Sequence, residues 1–389
     1  MDYNEAAMRM HREHRGKIEV RGKVQVRDRD GLSTAYTPGV AEPCREIVRR
    51  PEAVWELTAR GSFVAVVSDG SAVLGLGNIG PLAAMPVMEG KALLFKEFGG
   101  VDAVPICLDV HEPAEIIAAV RALAPSFGGI NLEDISAPKC FEIEEALERE
   151  LDIPVFHDDQ HGTAIVVSAA LTNALKVARR QLPDCRIVLN GPGAAGTAIT
   201  KMLLTLGARD ITVCDRAGAI FRGREGLSGH KLRLAELTNP ENRRGTLAEV
   251  LRGADVFIGV SSGGLVSKDM VRSMAKGPVV FAMANPTPEI AYEEALEAGA
   301  CVAGTGRSDC PNQINNVLAF PGVFRGALSV RAREINSAMK AAAVEALAGL
   351  VGDSLAPEHI IPDPFDERAP LAIAEAVAKA AVESGVARL

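Results

Sequence analysis

Two acidic pairs, Glu133-Asp134 and Asp158-Asp159, each close a short apolar run. The first follows Gly129-Ile130-Asn131-Leu132, and the second follows Ile153-Pro154-Val155-Phe156-His157. Such runs read as buried strands, whose last residues face a crevice. Carboxylates gathered there repel one another and are costly to desolvate. A hard divalent cation, Mg²⁺ or Mn²⁺, offsets both costs and prefers oxygen donors. One pair alone would read better as a solvated strand end or a helix cap. Two pairs near a phosphate-binding loop point to a metal. His157 and His161 stand four residues apart, but the first ends a strand and the second begins a helix. They need not share a face, and their neighbours are oxygen donors, so zinc is not expected.

The phosphate-binding loop is Gly191-Pro192-Gly193-Ala194-Ala195-Gly196. It follows the strand-like run Arg186–Asn190 and opens an Ala-rich helix. Small residues there let the backbone approach a pyrophosphate, and the helix N-terminus supplies amide donors. The next strand, from Ile211, ends in Asp215, at the ~20-residue offset of an acid that binds a ribose hydroxyl. A second match, Gly75-Leu76-Gly77-Asn78-Ile79-Gly80, has no such acid, and Pro81 and Pro86 interrupt the helix that should follow. It reads as a tight turn near the substrate. A carboxylate at Asp215 repels a 2′-phosphate and leans the cofactor towards NAD, although Arg216 could pair with that phosphate of NADP.

These groups need a scaffold. Strand-like and helix-like segments alternate along the chain, which predicts α/β architecture with parallel sheets. The expected division is an N-terminal α/β substrate and metal domain, residues 1–155, and a Rossmann-type doubly wound dinucleotide domain with C-terminal helices, residues 156–389. A helix from Gly162 to Arg180 should bridge them. With 389 residues the chain is too long for one ordinary core. Its formal charge is 42 − 50 = −8, and it has no long basic run, which argues against nucleic acid and anionic membranes as partners. The seven cysteines are scattered without a Cys-x-x-Cys pair, as expected in a reducing cytoplasm. The polar N-terminus lacks the apolar stretch of a signal peptide. The most apolar helix, around Ile165 to Ala178, is too short and too polar to span a bilayer.

Several segments together resemble the short-form malic enzymes of bacteria and archaea. They are Tyr36-Thr37-Pro38-Gly39-Val40-Ala41, Leu74 to Gly80, Met85-Pro86-Val87-Met88-Glu89-Gly90-Lys91, Asn131 to Ile135, Phe156 to Ala164, Ala284-Asn285-Pro286-Thr287-Pro288-Glu289, and Asn312 to Asn316 with Phe320-Pro321-Gly322. The resemblance covers nearly the whole chain. It implies oxidative decarboxylation of (S)-malate to pyruvate and CO₂ with NAD or NADP and Mg²⁺ or Mn²⁺, by a homodimer or larger assembly. It implies that Glu133, Asp134 and Asp159 hold the metal, that Lys91 is the general base and Tyr36 the general acid, and that Asp158 supports them. It places Asn285, Asn315 and Asn316 at the substrate, with Asn285 also on the nicotinamide side. The long eukaryotic forms carry an arginine before the first glycine turn, where this chain has Ser71-Ala72; Arg307 is a candidate to clamp the substrate carboxylate instead. The C-terminal acyltransferase-like domain of some bacterial relatives is not expected.

The chemistry suits these residues. Lys91 lies in a mostly apolar stretch, so burial and a nearby cation should lower its pKa. A phenol such as Tyr36 can protonate a carbon if a lysine is close. Asn285 follows a strand and adds no negative charge beside an anionic substrate. Two rivals remain at this level. A dehydrogenase that does not decarboxylate would need no acid cluster, and a silent nucleotide-binding regulator would not need Tyr36, Lys91 and three ligands together.

Overall fold

The computed structural model describes every residue except Met1 and Leu74. Leu74, which opens one of the resembling segments, lies outside the described residues.

Four parallel strands form the first sheet: β1 (Phe63–Ser68), β2 (Asp102–Cys107), β3 (Gly129–Leu132) and β4 (Val155–His157), in the order β2-β1-β3-β4. β1 and β3 are buried almost throughout, so they read as unbroken apolar runs rather than alternating ones. Helices Gly80–Gly99, Pro113–Leu123 and Lys139–Glu150 are the crossovers. The chain leaves β1 towards β2 and returns to the other side for β3. The carboxyl ends of β1 and β3 therefore diverge and open a crevice.

Two expectations about helix starts are corrected. Pro81 and Pro86 do not interrupt the helix after the first glycine turn, which runs from Gly80 to Gly99. Pro81 sits in the first turn, where no N–H is missed. Pro86 forfeits one bond on a solvent-facing turn, next to the exposed Leu82. The bridging helix spans Asp158–Val177 and begins four residues before Gly162. The polar run His157 to His161 hides that start. Asp158 and Asp159 consequently occupy the helix's first turn, where the amide dipoles favour negative charge.

The second sheet holds β5 (Arg186–Asn190), β6 (Asp210–Asp215), β7 (Gly218–Ala219), β8 (Val256–Gly259), β9 (Val279–Ala282) and β10 (Val302–Thr305). Their order is β10-β9-β8-β5-β6-β7, parallel except for β7, which runs against β6. The two-residue β7 carries no periodicity that would predict it. The sheet switches direction of growth between β5 and β8, the place where a doubly wound fold binds its ligand.

One apolar core joins the two sheets. It takes Val64 and Phe156 from the first, Phe95 from the helix Gly80–Gly99, Ile187, Leu189 and Phe281 from the second, and the buried face of the bridging helix. Phe95, Phe156, Phe320 and Phe324 pack edge to face at 4.7–5.7 Å, a preferred aromatic geometry. Asn173 on the bridging helix donates to the carbonyls of Ala348 and Ile360, which ties the C-terminal helices to it. The N-terminal helices differ: Tyr3–His14, Arg29–Ala35 and Ala41–Arg49 contain no buried residue. Among the described residues no helix is long and apolar enough to cross a membrane.

Candidate active site

The acidic pairs converge at the carboxyl ends of β3 and β4. Glu133, Asp134 and Asp159 each offer a carboxylate oxygen, all within 4.8 Å of one another. Asp134 adopts a left-handed backbone, φ 53°, a conformation Asp tolerates better than most residues. Its N–H donates to Asp159 Oδ2 at 2.8 Å, and its carbonyl accepts from Ala72 N–H at 2.9 Å. Asn131 Nδ2 donates to Glu133 Oε2 at 2.8 Å. Asp134 Oδ2 and Asp158 Oδ1 are buried without a protein partner. Burial first, then the charges of Asp159 and Glu133, push the Asp134 carboxyl up to about 8. Lys91 is the one cation against these carboxylates, so negative charge is in excess, and the donors are all hard oxygens. These residues fit Mg²⁺ or Mn²⁺.

Lys91 reaches this cluster from the helix Gly80–Gly99. Its ammonium is buried, 2.5 Å from Asp158 Oδ2 and 2.9 Å from Glu133 Oε1, and lies 4.1 Å over the Phe320 ring. The expected lowering of its pKa needs the cation as well as burial: burial lowers it, but in the metal-free cluster Asp158 and Glu133 raise it further. Asp158 is pushed up to about 7, chiefly by burial. Asn316 Nδ2 donates to the same Asp158 Oδ2 at 2.5 Å. A Cβ on Gly162 would overlap Asp158 Oδ1, so the Asp158 side chain needs a glycine one turn on.

The dinucleotide fingerprint lies where the second sheet switches. Gly191 to Gly193, Asp215, Arg216, Lys231 and Ser261 help line an open groove of about 850 Å³, a size usual for such ligands. Gly193 caps the helix Ala194–Thr205, so Ala194 and Ala195 occupy the first turn. Gly191 has φ 116°, and a Cβ on Gly196 would overlap the Gly191 carbonyl. Asp215 is not a lone acid. Arg224 binds both its oxygens at 2.8 Å, and Lys231 binds Oδ2 at 2.8 Å. Burial works against the ionised form, but these bonds hold its pKa below the usual range.

Loops beside the two crevices touch. A Cβ on Gly75 would lie 3.7 Å from Pro286 Cδ, so the first glycine turn sits against the Asn285-Pro286 loop that follows β9. This glycine turn belongs to the loop between β1 and the next helix.

Residues 15–115 match the family described as "Malic enzyme, N-terminal domain", and residues 160–382 match "Malic enzyme, NAD binding domain". The chain belongs to the malic enzyme family. It is 57% identical to a bifunctional malic/malolactic enzyme of Bacillus subtilis, over 100% of this chain and 95% of that protein. It is 58% identical to an NAD-dependent malic enzyme of Geobacillus stearothermophilus, over 96% of this chain and 78% of that one. The crystal structure of an NAD-dependent malic enzyme from Thermotoga maritima superposes with a TM-score of 0.93 at 50% identity, covering 96% of this chain and 98% of that one.

Of the residues implied by the malic enzyme resemblance, Glu133, Asp134, Asp158, Asp159, Lys91 and Asn316 stand together. Asn285 stands on the loop after β9, against the first glycine turn. The Asn315 Oδ1 accepts from Val317 N–H at 3.0 Å and caps a helical turn. Arg307 is held by Asp309 and donates to the Pro286 carbonyl at 3.2 Å. It lies near the cleft with its guanidinium occupied. Tyr36 is 67% exposed, and no hydrogen bond joins it to the cluster. Sequence reasoning missed Asn131, Arg224, Lys231 and Phe320. Asn131 is two residues from Glu133, which on a strand puts both on one face, and that signal was available.

Proposed function

We propose that this chain catalyses the oxidative decarboxylation of (S)-malate to pyruvate and CO₂ with NAD or NADP, dependent on Mg²⁺ or Mn²⁺. One observation carries the reading: three carboxylates converge beside a buried lysine, in a chain whose second sheet opens a groove of dinucleotide size. Simple hydride transfer needs no such cluster. In this reading Glu133, Asp134 and Asp159 hold the ion. When bound, the ion would supply positive charge for the oxygen at C2, and the dinucleotide would take up the hydride of that carbon. Lys91 takes the proton of the C2 hydroxyl. Asp158, fixed by Asn316, orients the Lys91 amine and shares its proton. Sharing of Glu133's charge with a cation weakens its hold on Lys91 and moves the amine towards the base this step needs. Asn285 and Asn316 contact the substrate side, with Asn285 towards the nicotinamide.

Tyr36 would return a proton to C3. Its exposure, and that of Val20, Val24 and Val48 on the same N-terminal arm, support a homodimer in which the arm of one copy delivers Tyr36 to the cleft of the other. The working units are residues 1–155 and 156–389, with the join inside β4. The unpaired cysteines accord with a cytoplasmic location. Around Asp215 one carboxylate faces Arg216, Arg224 and Lys231, and that excess of cations suits a 2′-phosphate as well as a free ribose. Either dinucleotide is therefore proposed, and the lean towards NAD is not strengthened.

The test is production of NADH or NADPH from malate with Mn²⁺, with pyruvate measured alongside. Equimolar pyruvate that disappears with EDTA is expected. Full dehydrogenase activity in EDTA without pyruvate would favour the non-decarboxylating rival.

A further inference from the structure

Glu144 stands on the helix Lys139–Glu150, outside the four-carboxylate cluster, and no step above uses it. Its side chain is only 6% exposed. Oε1 accepts from the His157 N–H at 2.8 Å and lies 3.0 Å from His161 Nε2, while Oε2 accepts from Gln160 Nε2 at 2.8 Å. All three partners fall within residues 157–161, the turn in which β4 becomes the bridging helix. Asp158 and Asp159 lie between them. A buried carboxylate needs its oxygens satisfied. Here every donor comes from the one turn that carries half the acid cluster.

The turn has little freedom on one side and more on the other. Asp158 is pressed against Gly162, where no Cβ would fit. On the far side a cavity of about 250 Å³ is bounded by Glu144, Glu148, Gln160, His161, Lys201 and Lys340. Without an anchor, the turn can shift into that space. The His157 ring, buried without partners, stands 3.7 Å from Asp159 Oδ2, so the hold on the His157 backbone also sets a neighbour of a ligand carboxylate.

We propose that Glu144 is a positioning residue for the divalent-metal site: by holding His157, Gln160 and His161 it aims Asp159 at the cation and Asp158 at Lys91. The inference rests on the metal reading given under the proposed function. Outer-shell partners of this kind are worth a measurable share of metal affinity.

The experiment measures the Kd for Mn²⁺ by paramagnetic resonance of the free ion, on the full chain without malate or dinucleotide. Glu144→Gln keeps the volume but replaces one acceptor oxygen with a donor that faces other donors. A Kd raised about tenfold is expected, with dinucleotide affinity and far-ultraviolet circular dichroism unchanged. Gln160→Ala, which removes one donor and opens onto the cavity, is expected to give a smaller rise and serves alone if Glu144→Gln does not fold. Folded variants with unaltered Mn²⁺ affinity overturn the inference. So does an equal loss of Mn²⁺ and dinucleotide affinity, which marks a general structural role. No saturable Mn²⁺ binding by the unaltered chain overturns the metal reading, and this inference with it.

Discussion

The two crevices are built from opposite materials. At the dinucleotide end the polar groups are largely met within the protein: Asp215 by Arg224 and Lys231, and Asn190 by Ser261. The loop works by shape, through glycines that let backbone approach a ligand. At the acidic end, Asn131 Oδ1, Asp134 Oδ2, Asp158 Oδ1 and both ring nitrogens of His157 are buried without a protein partner. Shape is not the difficulty there; charge is. A groove of amides and glycines is finished before its ligand arrives, whereas clustered carboxylates are finished by a counter-ion.

That contrast is most exposed at Lys91. Replacing it with alanine is expected to lower kcat for malate oxidation by on the order of 10²- to 10⁴-fold, the usual worth of a general base, while dinucleotide affinity measured by fluorescence stays put. Parallel loss of both would show that the crevices are not separable. Smaller, and confined to the acidic side, is a proton effect. Asp134 is pushed up to about 8 and Asp158 to about 7, so Mn²⁺ binding at pH 7 should expel about one proton per chain. Calorimetry in two buffers of different ionisation enthalpy reads it directly. The sign for stability follows. A carboxyl raised in the folded state favours folding below its ordinary pKa, and that advantage is lost as pH rises through the raised value. The Tm of the metal-free chain should therefore fall towards pH 8, and Mn²⁺ should remove most of the fall. A flat Tm would mean that the carboxylates already have partners. The smallest effect belongs to the finished groove. Lys231→Ala should raise the KM for NADP about tenfold, the worth of one charge-assisted bond, and that for NAD less. Equal changes would reduce Lys231 to a prop for Asp215.

Much of this was legible in the chain. The apolar runs named most of the strands, and their acidic ends located the cluster, because burial and strand polarity are local properties. The glycine spacing before Ala194 located the groove for the same reason. What stayed hidden depends on distant contacts. Arg224 and Lys231 lie 9 and 16 residues beyond Asp215, and neither offset has a periodic signature. Glu144 sits on a charged amphipathic helix and reads there as one more solvated acid. The pKa of Lys91 could not be had from its apolar neighbours in sequence, since Asp158, 67 residues away, and Glu133 together outweigh burial. The placement of Tyr36 is hidden for a further reason: the helix it follows, Arg29–Ala35, buries no residue, so no apolar pattern marks it.

A divalent ion at the acid cluster is the central claim. Crystals soaked in Mn²⁺ and measured at the manganese absorption edge should show one strong anomalous peak per chain, bonded by Glu133, Asp134 and Asp159 within reach of Lys91. A peak elsewhere, or none at saturating Mn²⁺, would contradict it.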